Sequence, residues 1–234
     1  MLTKMLRRAA IAKQIFFVAF WAVAVQDLRA WQSAHPVSGR KIAPVMGVGG
    51  ANWLVRSERE AEENPDLVLK LLAIPPGSVV ADLGAGVGYY SLKIARIVGP
   101  SGKVWATDIQ PEMLRLLRTR AGKEGVKNVE TVLGGVSETN LPDGAIDLML
   151  LVDVYHEFSE PQKMLASIAR CLKPDGKLIL LEFREEDASV PIRPEHKMSA
   201  ATVKKELGAE GWRFDKLIDG LPWQHILVFR KPER

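Results

Sequence analysis

Val79-Val80-Ala81-Asp82-Leu83-Gly84-Ala85-Gly86-Val87-Gly88 is the stretch on which the fold turns. It reads as a short apolar strand running into a turn with glycine at alternate positions, and residues 90–97 read as the helix that follows. Glycines in such a turn let the backbone bend tightly and let a ligand approach without a Cβ in the way. Twenty residues after Gly88, just past a second apolar strand at 103–107, stands Asp108. A carboxylate in that place can accept from both hydroxyls of a ribose. Turn and acid together predict a nucleoside-containing cofactor across the carboxyl ends of the first strands.

Outward from this turn, strands and helices alternate. Residues 57–72 read as helical, with Ser57 and Glu60 at capping-box spacing and a break expected at Asn64-Pro65. Pro75-Pro76-Gly77 turns into the first strand, and Gly99-Pro100-Ser101-Gly102 turns into the second. Pro111 opens a helix that Gly125 closes, and a third strand follows at 129–133. Leu141-Pro142-Asp143-Gly144 leads into a fourth at 146–152, and Pro161 opens a helix that reaches Cys171. Lys173-Pro174-Asp175-Gly176 turns into a fifth strand at 177–183. An irregular stretch with Pro191 and Pro194 precedes a helix around 201–207 and two strands near 214–218 and 225–229. Nearly all-apolar strands between helices predict an α/β domain whose parallel sheet is covered on both faces. Asp219-Gly220-Leu221-Pro222 is too short for a crossover helix, so the final strand should run antiparallel to its neighbour.

The glycine spacing narrows the cofactor. A dinucleotide fingerprint, Gly-x-Gly-x-x-Gly/Ala, needs a small third residue. Counted from Gly84 that place holds Tyr89, and counted from Gly86 it holds Ser91. The run is instead acid-x-Gly-x-Gly-x-Gly, and it resembles motif I of the class I S-adenosylmethionine-dependent methyltransferases. The resemblance covers most of residues 79–183. It implies a Rossmann-like, doubly wound sheet of seven strands in the order 3-2-1-4-5-7-6, the last antiparallel. By the same resemblance Asp82, Gly84, Gly86 and Gly88 would hold the methionine portion of S-adenosyl-L-methionine, Asp108 the ribose, and Ile109 the adenine. Gly134 and Gly135 would form the adenine loop, where the first following acid is Glu138. Asp153-Val154-Tyr155-His156-Glu157 falls where the family places groups near the cofactor's methyl and the acceptor, with Asp153 on the cofactor side. The implied activity is methyl transfer to a small apolar or aromatic acceptor. A module that binds the cofactor without turnover, and a nicotinamide-dependent oxidoreductase of similar topology, stay open as alternatives. Outside the core, Gly50-Ala51-Asn52-Trp53-Leu54 and Pro194-Glu195-His196-Lys197-Met198 resemble a branch of small bacterial methyltransferase-domain proteins with an exported-type N-terminus.

In-line displacement at a sulfonium gains most of its acceleration from positioning, so a base is needed only when the acceptor must lose a proton. His156 is the first candidate, because it follows a strand end on the cofactor side and titrates near neutrality. Tyr155 and Glu157 are the alternatives, and one of the three is expected to point into the core. Tyr89 and Tyr90 suit pocket walls, and His196 sits in a segment that could be a lid or an ordinary loop. Asp153 permits a magnesium reading, as in catechol-type methyltransferases. Glu185, Glu186 and Asp187 lack the Asp-Asn pair that such a site needs, so no metal is expected and these acids read as solvated, as do Glu58 to Glu63, which could alternatively cover the cofactor cleft. Asp153-Val154-Tyr155-His156 lacks the Pro-Pro of amino-methylating DNA enzymes, and Cys171 lacks the Pro-Cys setting of a cytosine methylase.

Composition agrees with a globular enzyme: 234 residues, 47% hydrophobic and 26% charged. The single cysteine excludes an internal disulfide, and no zinc-finger spacing is present. The net charge of +4 comes entirely from residues 1–34, which leaves 35–234 formally neutral and argues against a nucleic-acid partner. Lys4, Arg7, Arg8 and Lys13 precede an uninterrupted apolar run at 15–25 with Ala22-Val23-Ala24 inside it. That pattern reads as a signal peptide or membrane-targeting segment over 1–34, engaging the membrane or the export machinery. A linker at 35–49 and a methyltransferase domain at 50–234 complete the expected organisation. Export is the expected location, with membrane association as the alternative, although S-adenosylmethionine is made in the cytoplasm.

Overall fold

Apolar runs long enough for a strand, and flanked by helix-forming stretches, place the middle of this chain in one sheet with both faces covered. The computed structural model describes residues 34–233. In chain order it holds α1 (Arg59–Glu63), α2 (Pro65–Leu72), β1 (Val79–Leu83), α3 (Tyr89–Val98), β2 (Lys103–Asp108), α4 (Pro111–Lys123) and β3 (Val129–Leu133). There follow β4 (Ile146–Val152), α5 (Pro161–Cys171), β5 (Leu172–Arg184), β6 (Lys197–Met198), α6 (Ala200–Ala209), β7 (Arg213–Ile218) and β8 (Gln224–Arg230). The strand order is β3-β2-β1-β4-β5-β8-β7, with β8 antiparallel to both its neighbours. This is the doubly wound order expected, with the two-residue β6 added alongside β5.

Alternation along each central strand divides the core. Met149 and Leu151 of β4, Leu178 and Leu180 of β5, and Leu227 and Phe229 of β8 pack with α5 and α6. Their intervening neighbours, Leu148 and Leu150, Ile179 and Leu181, Ile226 and Val228, pack with α2 and α3. Strands that are apolar at every position are what a two-sided core requires. Burying each such side chain contributes about 1.5–3 kcal/mol.

Of four local expectations, one holds and three change. The helical stretch breaks at Asn64, which is left-handed (φ 51°) and whose side chain accepts from the Leu67 N–H, as Pro65 demands. The Ser57/Glu60 capping box does not form: α1 starts at Arg59 with no side-chain cap, and Ser57 turns its hydroxyl to Glu58. β5 already pairs at Leu172 with Ile146, then bulges over the Pro-Asp-Gly turn before pairing resumes at Lys177. Residues 35–46, expected within a linker, pack on the domain instead. Arg40 donates to Glu206 at 2.9 Å and to the His156 carbonyl at 3.0 Å, and the Ala43 N–H donates to that same carbonyl. The physical reason is Glu206, a fully buried carboxylate on α6 that needs the Arg40 cation and the Ser38 hydroxyl. The proposed targeting segment lies outside the described residues, apart from Ala34. No helix among the described residues is long and apolar enough to cross a membrane.

The turn after β1 fixes how α3 meets α4. Gly88 sits at φ +80°, and a Cβ there would lie 2.6 Å from Cγ of Leu117, which is fully buried on α4. Gly88→Ala therefore combines left-handed strain with overpacking. We expect it to lower unfolding free energy by about 2–4 kcal/mol in urea denaturation, with the same substitution at Gly122, which meets nothing within 4 Å, costing far less.

Candidate active site

The carboxyl ends of β1, β2 and β4 open onto one cleft. It lies where parallel α/β sheets hold ligands, at the point where the strand order reverses between β1 and β4. Gly84 and Gly86 form its floor, Asp108, Ile109 and Gln110 one side, Gly134 and Gly135 the next, and Asp153, Val154 and Glu157 the other.

The floor is held by hydrogen bonds between successive strand ends. Gly84 and Ala85 donate their N–H groups to the Thr107 carbonyl at 2.8 and 3.0 Å, and Gly86 donates to Oδ2 of Asp108 at 2.9 Å. Oδ1 of Asp108 takes the Gln110 N–H at 2.8 Å. Asp108 is thus both latch and wall: its carboxylate is only 8% exposed yet lines the cleft. Burial raises its pKa, and the backbone donors pull the other way. Gly86 adopts φ +52°, and a Cβ there would approach Leu54 to 2.8 Å, so only glycine leaves the floor open. Beside Asp108 the wall is apolar and exposed, at Ile109 and Val136. A flat heterocycle fits there. Glu138 follows it, but its carboxylate is drawn away to Arg170 at 2.6 Å.

Opposite, Asp153 sits at φ 54°, a strained conformation for a residue with a Cβ. Gln224 donates to its Oδ2 at 2.7 Å, whereas Oδ1 is shielded from solvent with no partner among the described residues. Burial, together with the Glu63 and Glu182 carboxylates, pushes its pKa well above the usual range. An acceptor left orphaned in a cleft is built for a donor on a ligand, and a cationic one best relieves this carboxyl.

The structure sorts the residues proposed from sequence. Gly84, Gly86, Asp108, Ile109, Gly134, Gly135, Asp153 and Glu157 meet at the cleft. Asp82 does not line it; its buried carboxylate takes the Ser91 hydroxyl at 2.5 Å beneath the turn and so positions α3. Gly88 packs on Leu117 rather than on a ligand. Tyr155, fully buried, is the core member of its triplet, bonded to His35 at 3.2 Å and under Arg40. His156 is buried as well, with Nδ1 2.7 Å from Glu182. Glu157 alone of the three candidate bases lines the cleft, and burial pushes its carboxyl up to about 7. Tyr89 and Tyr90 are not walls; they stack under Arg59 at 4.4 and 5.4 Å. Nor is Glu63 solvated, being a buried partner of Arg59 at 2.5 Å.

Sequence reasoning missed the roof. Val45, Met46, Trp53, Leu54 and Arg59 all line the cleft. Val45 and Met46 lie in the stretch read as a linker, and Trp53, Leu54 and Arg59 in stretches marked only by the resemblance outside the core. Met46 is pinned there by its N–H to Glu157 at 3.2 Å and by its carbonyl, which accepts from Gln110 at 2.9 Å. For Val45 and Met46 the signal available in sequence was a cluster of apolar residues in a segment otherwise read as linker.

Residues 81–180 match the family described as methyltransferase domain. Among curated relatives, the chain is 34% identical over 116 residues to the ubiquinone/menaquinone biosynthesis C-methyltransferase UbiE of Ectopseudomonas mendocina, covering 49% of this chain and 45% of that one. It is 38% identical over 111 residues to the enzyme of the same name from Psychromonas ingrahamii, covering 47% and 44%. The matched stretch spans less than half the length of these relatives. A crystal structure of a SAM-dependent methyltransferase from Aquifex aeolicus superimposes with a TM-score of 0.75 at 28% identity, over 79% of this chain and 98% of that one. The [4+2]-cyclase SpnF shares the fold alone, with a TM-score of 0.60 at 19% identity over 71% and 79%.

Asp82 yields a pH prediction. Full burial raises its pKa from 3.8 to about 6, against the Ser91 hydrogen bond and the Arg59 charge, which lower it. The folded state therefore disfavours ionisation, so the stability from the protonated form is complete below the unfolded pKa and lost as pH rises through about 6. A shift of this size corresponds to about 3 kcal/mol. Urea denaturation of wild type and Asp82→Asn at pH 4 and pH 7 should show the variant gaining on wild type by roughly that amount at the higher pH. A constant difference between the two proteins would contradict it.

Proposed function

We propose that this chain, whose residues 81–180 match a methyltransferase domain, is a class I S-adenosylmethionine-dependent methyltransferase that transfers a methyl group to a small aromatic acceptor at a ring carbon or a phenolic oxygen. The observation that carries the reading is Asp108, a nearly buried carboxylate at the end of β2 that lines the cleft within hydrogen-bond reach of the Gly86 turn. That arrangement suits a ribose. The rest of the cleft fits the remainder of the cofactor: an exposed apolar wall at Ile109 and Val136 for a base, and the orphaned Oδ1 of Asp153 for an ammonium group. When bound, the cofactor supplies an electrophilic methyl group on a sulfonium sulfur.

The chain's own residues then do the positioning. Gly86 keeps the floor low, Asp108 fixes rotation of the sugar, and Asp153 holds the charged tail. Met46, Trp53, Leu54 and Phe158 supply an apolar roof and far wall that exclude water from the reacting centre. A flat apolar acceptor suits these walls, and the activity named for the relatives, C-methylation in quinone biosynthesis, supports an electron-rich ring. Because the relatives are matched over less than half their length, the acceptor is inferred from the cleft and not transferred from them.

The test is turnover with methyl-labelled S-adenosylmethionine against a panel of phenols, hydroquinones and aliphatic amines. Label on a phenol or hydroquinone supports the reading; cofactor binding without transfer to any aromatic member overturns it. Asp108→Ala should weaken cofactor binding in calorimetry by about 1.5–3 kcal/mol, roughly 10- to 150-fold, since charged hydrogen bonds to two hydroxyls are lost. Unchanged affinity in a folded variant would remove Asp108 from the site.

A further inference from the structure

His156, Glu157 and His196 bring three donor atoms within 4.8 Å of one another. Two neighbouring strand ends produce the meeting. His156 and Glu157 occupy the short turn Tyr155–Glu157 after β4. His196 ends the turn Pro194–His196 after β5, and the next two residues are pinned by β6, where Lys197 and Met198 pair with Phe183 and Arg184.

The side chains are prepared for more than contact. Oε2 of Glu182 lies 2.7 Å from Nδ1 of His156, while its Oε1 takes the Tyr155 N–H at 3.0 Å. Glu182 has no exposure, so its carboxylate holds the His156 proton on Nδ1 and directs the Nε2 lone pair away. A carboxylate behind an imidazole is the usual support of a metal-bound histidine. Nε2 faces Nδ1 of His196 at 3.2 Å, and the two rings are perpendicular. Two nitrogens each about 2.0–2.1 Å from one tetrahedral ion stand about 3.3 Å apart, so the spacing suits a shared ion as well as a hydrogen bond. Glu157 adds an oxygen: Oε1 takes the Met46 N–H, and Oε2 is left for a ligand. Glu157 also lines the cleft, which joins the cluster to it.

We propose that His156, Glu157 and His196 bind one divalent transition ion of the zinc class, with Glu182 as the carboxylate that orients His156, and that the ion's remaining position takes an oxygen of the acceptor. Two imidazoles and a carboxylate select such an ion over magnesium, which prefers oxygen ligands. With Glu157 the one anionic ligand among the three, the ion keeps a Lewis acidity that suits a phenolate oxygen. The role toward the acceptor rests on the cleft being a methyltransferase site; binding of the ion does not.

The test is titration of the untagged, chelator-treated full chain with Co²⁺, followed by the visible absorption of low-coordinate cobalt, with Zn²⁺ as competitor. One equivalent of Co²⁺ displaced by Zn²⁺ is expected. His196→Ala, on a partly exposed turn, should weaken Co²⁺ binding at least about 100-fold, and Glu182→Gln about 10- to 100-fold, with melting curves checking that each variant folds. No cobalt spectrum in the wild type, or an unchanged affinity in folded His196→Ala, overturns the site and assigns the pair to an imidazole hydrogen bond. Calorimetry with S-adenosylmethionine on the same samples separates the two readings. Cofactor bound without Co²⁺ removes the ion site alone; Co²⁺ bound without cofactor supports the ion site and removes the methyltransferase reading.

Discussion

The hydrogen bond from the Gly86 N–H to the Asp108 carboxylate ties the turn after β1 to the end of β2, and the geometry of the cleft depends on it. Parallel strands carry no direct link between their carboxyl ends, so two loops that leave neighbouring strands must be joined by other groups. Here the Thr107 carbonyl takes two N–H groups from the same turn, and Asp108 takes a third. A turn held at three points can keep glycine in left-handed angles and present its backbone to a ligand. The same carboxylate faces the cleft, so the group that organises the floor is also the one that would read a ribose.

Beneath that floor the packing follows. Asp82 takes the Ser91 hydroxyl and sets the first turn of α3, while Gly88 lets α3 close on Leu117 of α4. Both residues belong to the glycine motif, yet neither reaches the cleft. The motif is thus two devices in one run of sequence. Gly84 and Gly86 clear space for a ligand, and Asp82 and Gly88 hold the helices that frame it.

The opposite end of the cleft is organised by buried charge. Glu182 and Glu206 have no exposure, and each gathers partners from distant parts of the chain. Glu182 fixes His156 and the Tyr155 backbone; Glu206 draws in Arg40 and Ser38. Leaving either carboxylate unpaired in the interior would cost several kcal/mol, about 3–5 by comparison with broken buried ion pairs. Pairing with Glu206 is therefore what brings residues 34–46 onto the domain, and Met46 with them over the cleft. A polar requirement in the core places an apolar roof on the site.

The alternation of strands and helices, the two-sided core and the antiparallel last strand were legible in the sequence because each depends on neighbours in the chain; the full strand order came with the family resemblance. Glycine at alternate positions after a strand, an acid at the next strand end, and a link too short for a helix are local constraints with few solutions. The resemblance placed Gly84, Gly86, Asp108, Ile109, Gly134, Gly135 and Asp153 at one site, and the structure lines the cleft with all seven. Which of Tyr155, His156 and Glu157 faces that cleft was not legible, since a short turn after β4 has no periodicity to read. Tertiary contacts decided it: Tyr155 went to the His35 and Arg40 pocket, His156 to Glu182, and Glu157 to the cleft. They decided also that His196, forty residues further on, meets His156, and that the stretch read as a linker becomes the roof. Those pairings join positions far apart in the chain through buried charge, and no single segment contains both halves of such a bond.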